Sequence, residues 1–232
     1  MPTPIILLPG LKSDHRVWAA QIAALQPLAS ATVPPSAALD ADRIEIMADR
    51  VLAAAPERFA LAGCSMGGYV ALAIMRLAPQ RVERLALLST SARPELPATT
   101  EKRLAALDLA RQQGIAAMAQ AGLERDFHSM SCRKQYAALM VAMAEEIGLP
   151  AVERQMQAVI HRFDARPALS AIRCPTLVLA GLQDEVTPPD CAREIAAHIS
   201  GSELHLLPDC GHCANLEAPQ AVNRLLIEWL RS

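Results

Sequence analysis

The chain carries no excess of basic charge: 22 Lys and Arg stand against 24 Asp and Glu in 232 residues, a balance of −2 with histidine neutral. Without a basic excess nothing draws it to nucleic acid or to an anionic membrane surface, and neither partner is expected. It also lacks any uninterrupted apolar run of about 18 residues, the length a membrane-spanning helix needs. The stretch from Met1 to Leu11 has too short an apolar run, and no positive charge at its start, for a secretory signal. A cytoplasmic protein is the expectation. Metal patterns are missing as well. Cys210 and Cys213 make one C-x-x-C, but no second C-x-x-C and no histidine pair at zinc spacing accompanies it, so neither metal nor other cofactor is expected. The six cysteines (Cys64, Cys132, Cys174, Cys191, Cys210 and Cys213) are spread along a chain too large to need stapling, and free thiols are the default.

What is present is ample apolar material, 52% of the residues, enough for the core of one α/β domain with an insertion. Short apolar runs at Pro4–Leu8, Ala31–Val33, Phe59–Ala62, Arg84–Leu88, Thr176–Ala180 and Leu204–Leu207 read as strands. Segments of helical spacing alternate with them: Trp18–Leu28, Asp42–Ala55 with Asp42 as N-cap, Gly68–Leu77, Cys191–Ile199 and Pro219–Leu230. Such alternation predicts right-handed crossovers and a mainly parallel sheet with helices on both faces. From 91 to 173 the pattern is helical only, with segments at Thr100–Gln113, Arg133–Ile147 and Ala151–Arg162 punctuated by Gly114, Gly122, Gly148 and Pro150. This predicts a helical lid whose methionines, Met118, Met130, Met140, Met143 and Met156, give it an apolar interior.

The run Gly63-Cys64-Ser65-Met66-Gly67 falls between an apolar strand and a helix. That is the setting of a nucleophile elbow, a strained turn that holds a serine hydroxyl out for attack. The flanking glycines fit the geometry, because a serine in a sparsely allowed conformation leaves no room for side chains two positions away. A serine hydroxyl becomes a good nucleophile only when an imidazole takes its proton, and the imidazole needs a carboxylate to hold its tautomer. Of the six histidines, His212 alone lies in a loop directly after a strand and before the last helix, the strand end where open α/β sheets place their sites. Asp184 occupies the corresponding place after the strand Thr176–Ala180, with Glu185 and Asp190 as rivals.

The order Ser65, Asp184, His212, with Gly181-Leu182-Gln183-Asp184-Glu185-Val186-Thr187-Pro188 and with Gly211, His212, Glu217 and Pro219, resembles the α/β-hydrolase fold proteins of the small lidded esterase and lactonase group over nearly the whole chain. The resemblance implies a core of residues 1–90 and 174–232, a lid at 91–173, and a sheet of about six strands lacking the family's first two. It also implies an oxyanion hole from the backbone N–H groups of Leu11 and Met66. Ala31–Val33 would then be an edge strand, blunted by Pro34-Pro35. Two departures stand out. Pro9-Gly10 replaces the family's His-Gly, losing a side chain that braces the oxyanion loop, and Pro34–Ala38 replaces an acidic glycine-rich turn, which predicts a more open pocket mouth.

The activity so implied is cofactor-free cleavage of a small to medium carboxylic ester, thioester or lactone, a small-molecule substrate with an uncharged acyl group. The same triad also serves C–C bond hydrolysis, acyl transfer and elimination in that family, and the fold also serves non-catalytic ligand binding. Arg125, Arg133, Lys134, Arg154 and Arg162 could dock an acidic carrier protein, as in the pimeloyl-carrier methyl esterases. Glu124, Asp126, Glu145, Glu146 and Glu153 share that surface, which favours an ordinary solvated face.

Overall fold

The computed structural model describes residues 3–232. In chain order the elements are β1 (Thr3–Leu8), α1 (Ala19–Leu25), β2 (Ala29–Thr32), α2 (Ile44–Ala54), β3 (Phe59–Cys64), α3 (Met66–Leu77) and β4 (Val82–Leu88). Five helices follow: α4 (Pro97–Gln113), α5 (Ile115–Asp126), α6 (Met130–Ile147), α7 (Leu149–Ile160) and the short α8 (Arg166–Leu169). The chain then closes with β5 (Thr176–Gly181), α9 (Pro189–His198), β6 (Glu203–Leu207), α10 (Ala214–Glu217) and α11 (Pro219–Arg231).

The six strands form one sheet in the order β2-β1-β3-β4-β5-β6, and every pairing is parallel. Side chains alternate across a strand, so each strand feeds two cores. Ile6, Leu8, Leu61, Leu85, Leu87 and Val178 face α2, α3 and α9; Ile5, Leu7, Ala60, Leu88, Leu177 and Leu179 face α1 and α11. Burial on both faces is why the inner strands read as unbroken apolar runs rather than alternating ones. β2 is the edge strand expected of the Ala31 region, starting two residues earlier and ending one earlier than the apolar run suggested.

Because all strands run one way, their C-terminal ends gather on one side. The order reverses direction between β1 and β3, whose following loops therefore diverge and leave a crevice. Helices α4 to α7 lie between β4 and β5 in sequence; α4 packs on α5 and α7, and α6 on the same two.

Three local expectations are corrected. The sequence reading omitted α5, because its apolar spacing is thin and Gly122 looked like a break. Gly122 instead sits inside the helix, while Gly114 and Gly148 end α4 and α6 at φ of 91° and 81°. Pro150 does not interrupt α7 but occupies its first turn, where its missing N–H costs nothing. Asp42 is not a cap: α2 starts at Ile44 after Arg43, with no side-chain capping bond.

Candidate active site

Ser65 joins β3 to α3 with φ 52° and ψ −118°, a conformation that L side chains rarely adopt and that costs about 1–3 kcal/mol. The neighbours hold it there. Ser65 N–H donates to Leu88 O at 3.0 Å, and Ser65 O accepts from Thr90 Oγ at 2.8 Å and from Gly68 N–H at 2.9 Å. The close approach explains the glycines: a Cβ on Gly63 would strike the Gly67 carbonyl, and one on Gly67 would strike the Leu8 carbonyl. Thr90 was not anticipated. Only its place just past β4, the strand beside β3, could have pointed to it.

His212 Nε2 lies 2.9 Å from Ser65 Oγ, and His212 Nδ1 lies 2.9 Å from Asp184 Oδ2. With Nδ1–H donating to the carboxylate, Nε2 is left to accept from the serine hydroxyl. Asp184 is buried and fully engaged. Its Oδ1 accepts the N–H groups of Val186 and Thr187, each at 2.8 Å, and its Oδ2 also accepts the Thr187 hydroxyl at 2.9 Å. Burial pushes the Asp184 carboxyl up, but the charge and hydrogen bond of His212 and the Thr187 bonds outweigh it and hold the group below its ordinary value. Burial likewise works to lower His212, and the charge and hydrogen bond of Asp184 more than offset this, leaving the imidazole above its ordinary value. Of the rivals, Glu185 is exposed and Asp190 pairs with Arg93 at 2.7 Å on the surface.

The Leu11 loop is braced by residues that the sequence reading overlooked. Ser13 Oγ donates to Gly10 O at 2.9 Å, and Lys12 N–H donates to Gln155 Oε1 at 3.0 Å, where Gln155 is buried on α7. These two bonds tie the loop after β1 to itself and to α7. Among the described residues the Leu11 N–H has no protein acceptor, and Met66 is the first residue of α3, whose N–H has no partner within a helix. Both residues line the cavity above Ser65.

That cavity measures about 160 Å³, close to the roughly 150 Å³ of an engineered cavity that holds benzene. Met118, Met140 and Met156 line it as an apolar interior requires, Met143 is buried in the core beside it, and Met130 is exposed. Lys12, Lys102, Arg103, Arg125 and Asp126 line it too. Burial opposes the charge on Lys12, but Asp126, bonded at 3.0 Å, raises it above its ordinary value, so it stays cationic. Leu39 is buried, its carbonyl accepts from Gln155 Nε2 at 3.3 Å, and Asp40 pairs with Arg154 of α7 at 2.6 Å.

Cys210 and Cys213 are free thiols, and burial pushes Cys210 up to about 12 and Cys213 well above its ordinary value. Thiols so raised are poor nucleophiles and poor metal ligands. Glu217 binds the same loop: its carboxylate accepts Gly211 N–H at 2.6 Å and Ser129 N–H at 2.7 Å. No helix among the described residues is long and apolar enough to cross a membrane.

The enol-lactonase from Burkholderia xenovorans LB400 superposes with a TM-score of 0.89 at 26% identity, covering 100% of this chain and 92% of that one. The pimeloyl-[acyl-carrier protein] methyl ester esterase of Nitrosomonas europaea is 26% identical over 190 residues, 76% of this chain and 71% of that protein. The 2-hydroxy-6-oxononadienedioate/2-hydroxy-6-oxononatrienedioate hydrolase of Escherichia coli K12 is 30% identical over 181 residues, 73% of this chain and 61% of that protein. Residues 5–225 match the family model described as the Alpha/beta hydrolase family, and the chain belongs to that family.

Proposed function

We propose that this protein is a serine hydrolase that cleaves a small to medium carboxylic ester, thioester or lactone through an acyl-enzyme. One observation carries the reading: Ser65 Oγ, His212 and Asp184 form an unbroken chain of two 2.9 Å contacts, opening on a cavity that the lid helices help to line. An esterase and an enol-lactonase among the similar proteins support the same class.

The chemistry follows from the geometry. Ser65 Oγ attacks the carbonyl carbon as His212 Nε2 takes its proton, and Asp184 holds the imidazole in the right tautomer and stabilises the cation it becomes. The negative charge that grows on the carbonyl oxygen is met by the N–H groups of Leu11 and Met66. The second of these stands at the positive end of α3, and one such donor is worth about 10²–10³ in rate. Collapse of the intermediate breaks the bond from the acyl carbon to the leaving oxygen, or to the leaving sulfur of a thioester, and His212 gives its proton to that atom. Water, deprotonated by the same imidazole, then releases the acid. No step needs a cofactor.

Residues 91–173 act in this reading as a lid over the core formed by 1–90 and 174–232, since α4, α5, α6 and α7 supply Arg103, Met118, Met140 and Met156 to the cavity wall. A carrier-bound substrate is not favoured. Of the five basic residues that suggested it, Arg154 pairs with Asp40, Arg162 with Glu95 and Arg133 with Glu124. A panel of alkyl and aryl esters of graded chain length, run beside lactones of matched size, tests the class. Turnover of short esters or lactones is expected, and turnover of neither would end the reading.

A further inference from the structure

The wall of the Ser65 cavity holds more positive charge than a neutral ester can use. Lys12, Lys102, Arg103 and Arg125 line it against a single lining carboxylate, Asp126. Lys12 is neutralised by Asp126 at 3.0 Å. Arg103 Nε donates to Glu95 Oε1 at 2.7 Å, but the other oxygen of that buried carboxylate is taken by Arg162, so one anion serves two guanidiniums. The Nη1 of Arg103 reaches only the Met156 thioether, a weak acceptor, at 3.9 Å. Lys102 and Arg125 join no ion pair among the described residues, and Arg125 Nη2 meets only the Glu185 carbonyl oxygen, at 3.5 Å. With the charges directly behind the wall included, the five cations Lys12, Lys102, Arg103, Arg125 and Arg162 face the three carboxylates Asp126, Glu95 and Asp184. Two positive charges are left over. In a chain whose net charge is −2, that excess is local to the cavity.

The geometry suits a planar anion. Arg103 keeps part of its guanidinium fork uncommitted within a wall where its side chain is only 17% exposed, and partial desolvation strengthens attraction to a carboxylate. Lys102 and Arg125 stand more exposed, on α4 and α5, where they add attraction at longer range. Met118, Met140 and Met156 offer an apolar lining for a short methylene chain.

We propose that the substrate carries a carboxylate separate from its scissile carbonyl, bound by Arg103 with Lys102 and Arg125. This rests on the ester-hydrolase reading and narrows its substrate from an uncharged acyl compound to an anionic one, such as a half-ester or a carboxylated lactone. Water and a half-ester then give a dicarboxylate and an alcohol, one acyl–oxygen bond breaking for each water consumed. The charge lines the cavity rather than an outer face, which favours a small molecule over an acidic carrier protein.

The test compares methyl half-esters of dicarboxylic acids of four to seven carbons with neutral methyl esters in which an isopropyl group replaces the carboxylate, both followed by proton release. The half-ester of best length is expected to exceed its neutral counterpart at least tenfold in kcat/KM. Raised salt should shrink that ratio, and Lys102→Gln/Arg125→Gln, which alters only exposed side chains, should lower it several-fold through KM. Arg103→Met should lower it further. A second arm measures binding of the free dicarboxylates to Ser65→Ala protein by calorimetry, which needs no turnover; tighter binding than of the matched monocarboxylate supports the subsite. Equal or better turnover of the neutral esters, a ratio unmoved by the double variant, or a preference seen only with the acyl group on a carrier protein would each overturn the proposal. Loss of the ester-hydrolase reading has a different signature: no turnover of either series by folded wild-type protein.

Discussion

Asp126, the last residue of α5, accepts the backbone N–H of Cys213 on its carbonyl oxygen at 2.9 Å while its carboxylate holds Lys12 at 3.0 Å. One residue thus fastens the loop of His212 and the loop of Leu11 to the same helix. The charges of this pair also reach the imidazole, Asp126 raising its pKa and Lys12 lowering it.

The pH profile should show both effects. His212 must be neutral to accept the serine proton, so kcat/KM should rise with pH and level off above the imidazole pKa. Because that pKa is raised, the acid limb should lie above the ordinary histidine value of about 6.5. Asp126→Asn keeps the main-chain bond to Cys213 but removes the negative charge, and should move the limb to lower pH. Lys12→Gln should move it to higher pH. Profiles of kcat/KM from pH 5 to 9 for both variants check the signs; shifts in the same direction would contradict the arrangement.

Asp184→Asn should lower kcat by about 10⁴, the scale seen when a triad histidine is left in the wrong tautomer, with little change in KM. Glu185 is exposed, so Glu185→Gln should stay within about twofold. Steady-state kinetics of the two variants decide, and the opposite ranking would move the acid to Glu185.

Leu11→Pro removes one backbone N–H without adding charge. A folded variant should lose about 10² to 10³ in kcat, the cost of one oxyanion donor. Unchanged turnover would mean that the donor lies elsewhere.

Gly67→Ala should destabilise the protein by about 1–3 kcal/mol, because the new methyl meets the Leu8 carbonyl and the sheet must give way. Chemical denaturation measures this directly. Wild-type stability would show that β1 and α3 are less closely pressed than described.

The sheet was legible because strands buried on both faces leave apolar runs that helices cannot imitate at that length, and the elbow because its glycines answer a steric demand visible in sequence. Ser65, His212 and Asp184 could be nominated since each directly follows or shortly follows a strand in a parallel sheet. What stayed hidden were contacts between residues far apart in sequence. Asp126 meets Lys12 across 114 positions and Gln155 meets the Lys12 N–H across 143, with no local pattern to announce either. Helix α5 was missed for a different reason: a glycine inside a short Ala-rich segment is indistinguishable by periodicity from a break. The cavity cations were likewise hidden as a group: Arg125 stood out only as part of a lid surface of mixed charge, and nothing local marks Lys102 or Arg103 until α4 is folded over Ser65.

The most direct test of the serine-nucleophile assignment is the site of covalent labelling by a fluorophosphonate, read by peptide mass. An adduct on Ser65 is expected, formed far more slowly in His212→Ala and absent from a folded Ser65→Ala protein. Undiminished labelling of that folded Ser65→Ala protein, or an adduct on another residue, would contradict it.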